Sequence, residues 1–202
     1  MASHIVGAVL GIIATVLCVT LASFHGNAFG VISGAIFGAS MIVLYSMSSI
    51  YHGLSPKYFA KKVFRIFDHC SIYLLVAGTA TPLAMCTVRE ADPFLGWLYF
   101  GGIWALAIIG ITLTSINLHK FRVPAMIIYM AMGWSTLFLA GIILEGLGST
   151  GFALLVSGGI AYTLGAIFYG FGKKKCYIHS VFHLFVVLGS LLHFLCIVLY
   201  VM

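Results

Sequence analysis

Two histidines stand four residues apart in the segment HSVFHLF, at positions 179 and 183. Residues at i and i+4 share one face of an α-helix, so His179 and His183 can direct their imidazoles at one ion. An ionisable side chain in so apolar a stretch is costly unless it faces a partner or a wet cavity. The pair indicates a metal site, and an interfacial pair bonded to carbonyls or lipid phosphates is the alternative.

Three more polar residues stand at the ends of other apolar stretches. His52 ends SMSSIYH, and Asp68 lies in RIFDHC. His52 can supply a third nitrogen, and three protein ligands with an open position for water are typical of catalytic zinc. Zinc lowers the pKa of such a water toward about 7. Asp68 can hold or deprotonate the water, and Ser48, one turn before His52, can bond the water or an oxyanion.

Each of these residues also has a structural interpretation. His52 can be a polar helix end that meets water. Asp68 can cap the N-terminus of its helix or pair with Arg65. Ser48 can bond back to a carbonyl of its own helix. The sequence alone leaves these alternatives open.

The composition places the chain in a membrane. Of its 202 residues, 62% are hydrophobic and 7% are charged, whereas soluble domains carry about 25% charged residues. The basic residues lie in short loops, which indicates orientation in a bilayer rather than nucleic-acid binding. The sequence has no H-E-x-x-H, G-x-S-x-G or Walker motif, so the usual protease, serine hydrolase and ATPase functions lack support.

Apolar segments of about 20 residues are long enough to cross a bilayer as helices. We therefore predict an all-α integral membrane protein, in which residues 1–202 form one bundle of seven transmembrane helices. The predicted spans are 4–24, 30–52, 67–87, 95–116, 124–144, 151–171 and 178–201. The short loops between them make neighbouring helices antiparallel.

Nine of the ten basic residues fall on one side of this arrangement. They lie in the second, fourth and sixth loops: Lys57, Lys61, Lys62, Arg65, Lys120, Arg122, Lys173, Lys174 and Lys175. Arg89 lies on the other side, with three of the four acidic residues. The positive-inside rule predicts a cytoplasmic N-terminus and an external C-terminus, in the cell (inner) membrane. His52, Asp68, His179 and His183 then share one layer near the cytoplasmic face.

The remaining histidines are expected to lie outside this site. His4, His25 and His119 stand near span ends and are interpreted as interfacial. His69 points about 100° around the helix from Asp68, toward headgroups or another helix. His193, about 21 Å along the helix from His179, is expected to bond within the bundle.

Small residues are expected to serve packing. Glycines recur at positions 26, 30, 34 and 38, and small residues one turn apart let membrane helices approach closely. The five scattered cysteines are interpreted mostly as apolar packing residues.

Three segments together resemble a known family. SSIYH, FDHCSIYLLVAGTATP and HSVFHLFVVLGSLLH are similar to the hallmark segments of bacterial hemolysin III proteins, which belong with the progestin and adipoQ receptor family. That family resembles the alkaline ceramidases within a wider group of membrane hydrolases. The resemblance implies a seven-helix bundle with Zn²⁺ near the cytoplasmic face. Its ligands would be His52, His179 and His183, with Ser48 and Asp68 at the positions of the family serine and aspartate.

The beginning of the chain departs from the family pattern. Relatives often have an acidic stretch and an Asn-Ser pair before a histidine resembling His4. This sequence has neither that glutamate nor that asparagine before His4.

Three functions follow from these observations. The first is hydrolysis of a lipid-like amide, with a ceramide-like or fatty-acyl substrate entering from the bilayer. The second is a non-enzymatic sensor or regulator of membrane state, in which zinc clips helices together. The third is lysis of red cells, as the family name suggests, although pore formers usually carry amphipathic segments that this chain lacks.

Overall fold

The computed structural model describes residues 2–171 and 176–202, and the side chains of residues 4–170 and 181–202. All regular elements in these residues are helical. They are α1 (Ala2–Phe24), α2 (Ala28–Gly53), α3 (Ala60–Pro82), α4 (Arg89–Ala91), α5 (Pro93–Ile116), α6 (Arg122–Trp134), α7 (Ala140–Phe171) and α8 (Cys176–Tyr200). A π-helical segment, Leu83–Val88, joins α3 to α4, and a 3₁₀ segment, Ser135–Leu139, joins α6 to α7.

Six helical stretches among the described residues are long and apolar enough to cross a membrane. They are His4–Phe24, Ala28–Gly53, Ala60–Ala91, Pro93–Ile116, Arg122–Gly170 and Val181–Tyr200. The predicted helical membrane fold is confirmed at this level. The predicted count was seven, and the difference lies in Arg122–Gly170, which contains both the fifth and the sixth predicted spans.

The chain folds back within this long stretch, at Gly148. A straight helix of its 49 residues would be about 74 Å long, more than twice the roughly 30 Å of a bilayer's hydrocarbon core. Gly148 has φ 67° and ψ 175°, a conformation essentially restricted to glycine. On either side of it, Trp134 Nε1 donates a hydrogen bond of 3.1 Å to Thr163 Oγ1. A straight helix would hold these two residues about 44 Å apart.

α3 is the most buried of the membrane-length stretches, because its second half is built from small residues. The segment from Ala77 to Pro82 is wholly buried. A Cβ at Gly78 would lie 2.4 Å from Ser40 Oγ of α2, so the two helices meet closely there. On the other side, Tyr73 fills the space left by Gly110 of α5. α3 therefore lies between α2 and α5, and it can present Asp68 to the interior.

Three of the four basic residues before the third predicted span lie in α3 itself rather than in a loop. Lys61, Lys62 and Arg65 belong to its first two turns, which corrects the predicted boundary. The reason is that lysine and arginine favour helices, so charge ends the apolar span without ending the helix. Lys61 Nζ donates a 2.7 Å hydrogen bond to the Leu54 carbonyl, at the end of α2.

The expected glycine packing is confirmed for three of the four glycines. Gly30, Gly34 and Gly38 face Ala22, Cys18 and Thr15 of α1 respectively, at distances that leave no room for a Cβ. At Gly38 that atom would lie 2.0 Å from Thr15 Oγ1 and 2.7 Å from its Cα. Gly26 has a different role: it stands in the turn between α1 and α2, with φ 65°.

This packing predicts a position-specific effect of one added methyl group. Gly38→Ala should destabilise the protein by about 1–3 kcal/mol, because the new Cβ overlaps the backbone of α1. Gly101→Ala is the matched control, since Gly101 has no heavy atom within 4 Å of the added Cβ. Thermal unfolding in detergent should show a lower Tm for Gly38→Ala alone. Equal Tm values for the two variants would contradict the close helix contact.

Candidate functional site

A largely apolar cavity of about 490 Å³ lies among helices α1 to α3 and α5 to α8. Four of the five predicted site residues line it, namely Ser48, His52, Asp68 and His183. They come from α2, α3 and α8. The fifth, His179, lies outside the residues whose side chains the structure describes.

His52 and His183 are placed as two ligands of one ion would be. Their ring centroids are 5.1 Å apart and their planes are inclined by 85°. Two imidazoles that bind zinc at about 2.0 Å with a tetrahedral angle have centroids roughly 5.2 Å apart. Within the described side chains, no three His, Cys, Asp or Glu residues form a metal-binding group. His52 and His183 therefore fit part of a zinc site, and the predicted third nitrogen is that of His179.

Ser48 and Asp68 line the same cavity as the histidines. Ser48 is 2% exposed. The hydroxyls of Ser40 and Thr79 bond to carbonyls of their own helices, but no such bond is found for Ser48 within the described residues. The Asp68 side chain is 18% exposed. The cavity is thus lined by a hydroxyl and a carboxylate as well as by the two imidazoles.

His69 was predicted to face headgroups or another helix, and the structure corrects this. Its side chain lines the same cavity as Asp68. His69 Nδ1 donates a 2.8 Å hydrogen bond to the Arg65 carbonyl and lies 4.0 Å from Asp68 Oδ2. The His69 ring and the Asp68 carboxylate therefore lie close together, although the two residues are about 100° apart around the helix.

His4 was interpreted as interfacial, and this too is corrected. It is 4% exposed and lines the cavity. Its Nε2 is hydrogen-bonded to Nδ1 of His183, and its ring stands edge-on to that of Tyr45 at 5.4 Å. The signal that identifies it is a stripe of buried residues along α1, in which every member but His4 is small: His4, Gly7, Gly11, Ala14, Cys18 and Ala22.

A buried hydrogen-bond network lies next to the histidines. The hydroxyls of Tyr45 and Ser190 are 2.6 Å apart, and the hydroxyl of Tyr162 is 2.7 Å from that of Ser190. This network joins α2, α7 and α8. His193 Nε2 donates a 3.0 Å bond to the Leu155 carbonyl, so the prediction that it bonds within the bundle is confirmed. His193 also lines the cavity, about 15 Å along α8 from His183.

Comparison with known proteins finds similarity along nearly the whole chain. The family model described as haemolysin-III related matches residues 1–194. The chain is 39% identical to Hemolysin-3 of Bacillus cereus over 201 residues, which is 99% of this chain and 89% of that protein. It is 34% identical to the Hemolysin-3 homolog of Bacillus subtilis strain 168, with 98% and 91% covered. The human monocyte to macrophage differentiation factor is 26% identical, with 81% and 68% covered.

The buried hydroxyl network predicts that removing the Tyr45 hydroxyl and removing the Ser49 hydroxyl have different effects on stability. Tyr45→Phe should lower stability by about 1 kcal/mol, because it leaves Ser190 with one partner fewer in the interior. Ser49→Ala is the control, since the buried Ser49 hydroxyl has no hydrogen-bond partner within the described residues. Thermal unfolding should show a lower Tm for Tyr45→Phe and an unchanged or higher Tm for Ser49→Ala. The reverse order would contradict the network.

Proposed function

The chain belongs to the haemolysin-III-related family of multi-pass membrane proteins, and we propose that it hydrolyses lipid-like amides within the membrane with the aid of zinc. One observation carries the proposal. Ser48, His52, Asp68 and His183 reach from three helices into a single, largely apolar cavity. A hydroxyl, a carboxylate and two imidazoles in such a cavity suit the hydrolysis of an apolar substrate.

His52, His179 and His183 are the proposed ligands. The 5.1 Å between the rings of His52 and His183 supports two of them, and the assignment of His179 rests on its spacing from His183. Three imidazoles suit zinc by their ligand type. When bound, zinc supplies a Lewis acid that polarises a carbonyl and lowers the pKa of water.

The side chains have separate roles in the proposed reaction. Asp68 takes a proton from water as the water oxygen bonds to the amide carbon. Ser48 donates a hydrogen bond to the carbonyl oxygen as negative charge develops on it. The carbon–nitrogen bond then breaks, and the proton held by Asp68 passes to the leaving amine. The products are a carboxylic acid and an amine, and the apolar walls hold the acyl chain and exclude bulk water.

A second candidate function is a sensor of membrane state with a structural ion. The observation that favours it is the contact among His4, His52 and His183, which belong to three different helices. An ion held by His52 and His183 would fix α2 and α8 relative to one another, with His4 of α1 against His183. Such a protein needs the histidines but has no need of a base at Asp68.

Seven crossings, with a cytoplasmic N-terminus and an external C-terminus, complete the proposal. The reversal at Gly148 supports two crossings within Arg122–Gly170. The nine basic residues on one side support the orientation. The cavity end with His52 and Asp68 then lies near the cytoplasmic face of the inner membrane.

The two functions predict different results when the Asp68 carboxylate is replaced by an amide. For the hydrolase, His183→Ala should lose both zinc and activity, whereas Asp68→Asn should keep zinc and lose about 10²–10⁴-fold in rate, because the base is gone. The measurements are zinc content by mass spectrometry and fatty-acid release from a panel of ceramides and other N-acyl lipids.

His25→Ala is the control for this experiment, since His25 is exposed and bonds to the Met202 carbonyl away from the cavity. It should keep both zinc and activity. A wild-type protein that holds one zinc per chain but releases no fatty acid from any lipid of the panel would refute the hydrolase and favour the sensor.

The topology predicts opposite labelling of two exposed positions. Lys57→Cys and Glu145→Cys each place a thiol at an exposed site, in a background where Cys176 is serine and the buried Cys18, Cys70, Cys86 and Cys196 are unchanged. A membrane-impermeant maleimide should label Glu145→Cys in intact spheroplasts and Lys57→Cys only after the membrane is opened. Labelling of both from the same side would contradict the proposed topology.

A further inference from the structure

We infer that His4 is a positioning residue for the metal site: it accepts a hydrogen bond from Nδ1 of His183 and leaves Nε2 of His183 to face the ion. The inference rests on the proposed function, because it needs an ion at His183. Its direct observation is the hydrogen bond between His4 Nε2 and His183 Nδ1. Both residues are buried, with 4% and 6% of their surface exposed.

The ring distances distinguish His4 from a ligand. At zinc–nitrogen distances of about 2.0 Å, two imidazoles on one ion have centroids about 5.2 Å apart at a tetrahedral angle and at most about 6.4 Å apart in a straight line. The His52–His183 pair, at 5.1 Å, meets the tetrahedral value. His4 is 4.0 Å from His183, which is too close, and 6.4 Å from His52, which would require a linear arrangement. His52 and His183 can share an ion that His4 does not touch.

The chemistry of imidazole indicates that His4 acts as the hydrogen-bond acceptor for a metal-binding His183. A histidine that binds a metal through one ring nitrogen usually donates the N–H of the other to a fixed acceptor, which sets its tautomer and orientation. With Nδ1 of His183 engaged by His4, only Nε2 of His183 has a lone pair to offer. The acceptor in such pairs is often a carboxylate. Here it is a neutral ring, which places no extra negative charge in the apolar interior.

Packing against Tyr45 holds the His4 ring in place. One turn along α1, Gly7 leaves space that the Tyr45 ring fills, and a Cβ there would lie 2.4 Å from that ring. The ring of Tyr45 meets that of His4 edge-on, and its hydroxyl is fixed by Ser190. His4 is therefore supported by α2 and α8 as well as by its own helix.

The test compares two amides of different length. In His4→Gln the side-chain oxygen reaches about as far as Nε2 and can accept the same bond, whereas the oxygen of His4→Asn is about one bond short. We expect His4→Asn and His4→Ala to bind zinc 10–100-fold more weakly than wild type, as loss of an outer partner does. His4→Gln should stay within a few-fold of wild type. Affinity is measured by competition with a chromophoric chelator, and X-ray absorption counts the imidazoles on the ion.

The imidazole count should be the same in wild type and in all three His4 variants. Loss of one imidazole in His4→Asn would show that His4 is a ligand and overturn the inference. An unchanged affinity in His4→Asn or in His4→Ala would overturn it as well. If His4→Ala does not fold, the comparison of Gln with Asn decides the question. A wild-type chain that binds no zinc refutes the proposed function, and the inference with it.

Discussion

Polar groups inside a bilayer have only each other as partners, because water is absent from the hydrocarbon core. The helices of this protein meet that constraint in two ways. Ser40, Thr79 and Thr81 bond to carbonyls of their own helices. Larger groups bond across helices, as Trp104 does to Thr81 and Tyr45 to Ser190. Buried polar groups are thus satisfied either within one helix or between neighbouring helices.

The polar residues of the predicted site line one cavity. They are two histidines, a carboxylate and a serine, and they belong to α2, α3 and α8. Ionisable side chains in a membrane are costly unless they pair with one another, face a wet cavity or hold an ion. The cavity walls beyond them are mainly apolar, so the same space can take an acyl chain. Polar side chains and a mainly apolar wall are thus combined in one cavity.

The sequence pattern predicted the site residues that stand at the ends of apolar segments. It did not predict the residues whose place in the cavity depends on the direction of their side chains. His52, Asp68 and His183 were selected as polar residues at the ends of apolar segments, and the loop charges predict that they share one layer of the bilayer. His4 was missed because closeness to a span end resembles exposure; only the small residues that share its stripe on α1 show the opposite. The predicted loop between the fifth and sixth spans, EGLGST at 145–150, contains Gly148, where the chain reverses. Helix continues almost to this glycine on both sides. Composition cannot show that a single residue makes the turn.

The π-helical segment that follows α3 changes the direction in which the side chains of α4 point. In this segment hydrogen bonds span five residues, as in the bond from the Arg89 N–H to the Ala84 carbonyl, so its turn holds about one residue more than an α-helical turn. The residues of α4 are thereby rotated about the helix axis by about 100° relative to an uninterrupted α-helix. The rotation brings the Arg89 guanidinium over the Phe29 ring, 3.7 Å from its centroid. An insertion of one residue into an ancestral helix, absorbed without a loop, has the same geometric result.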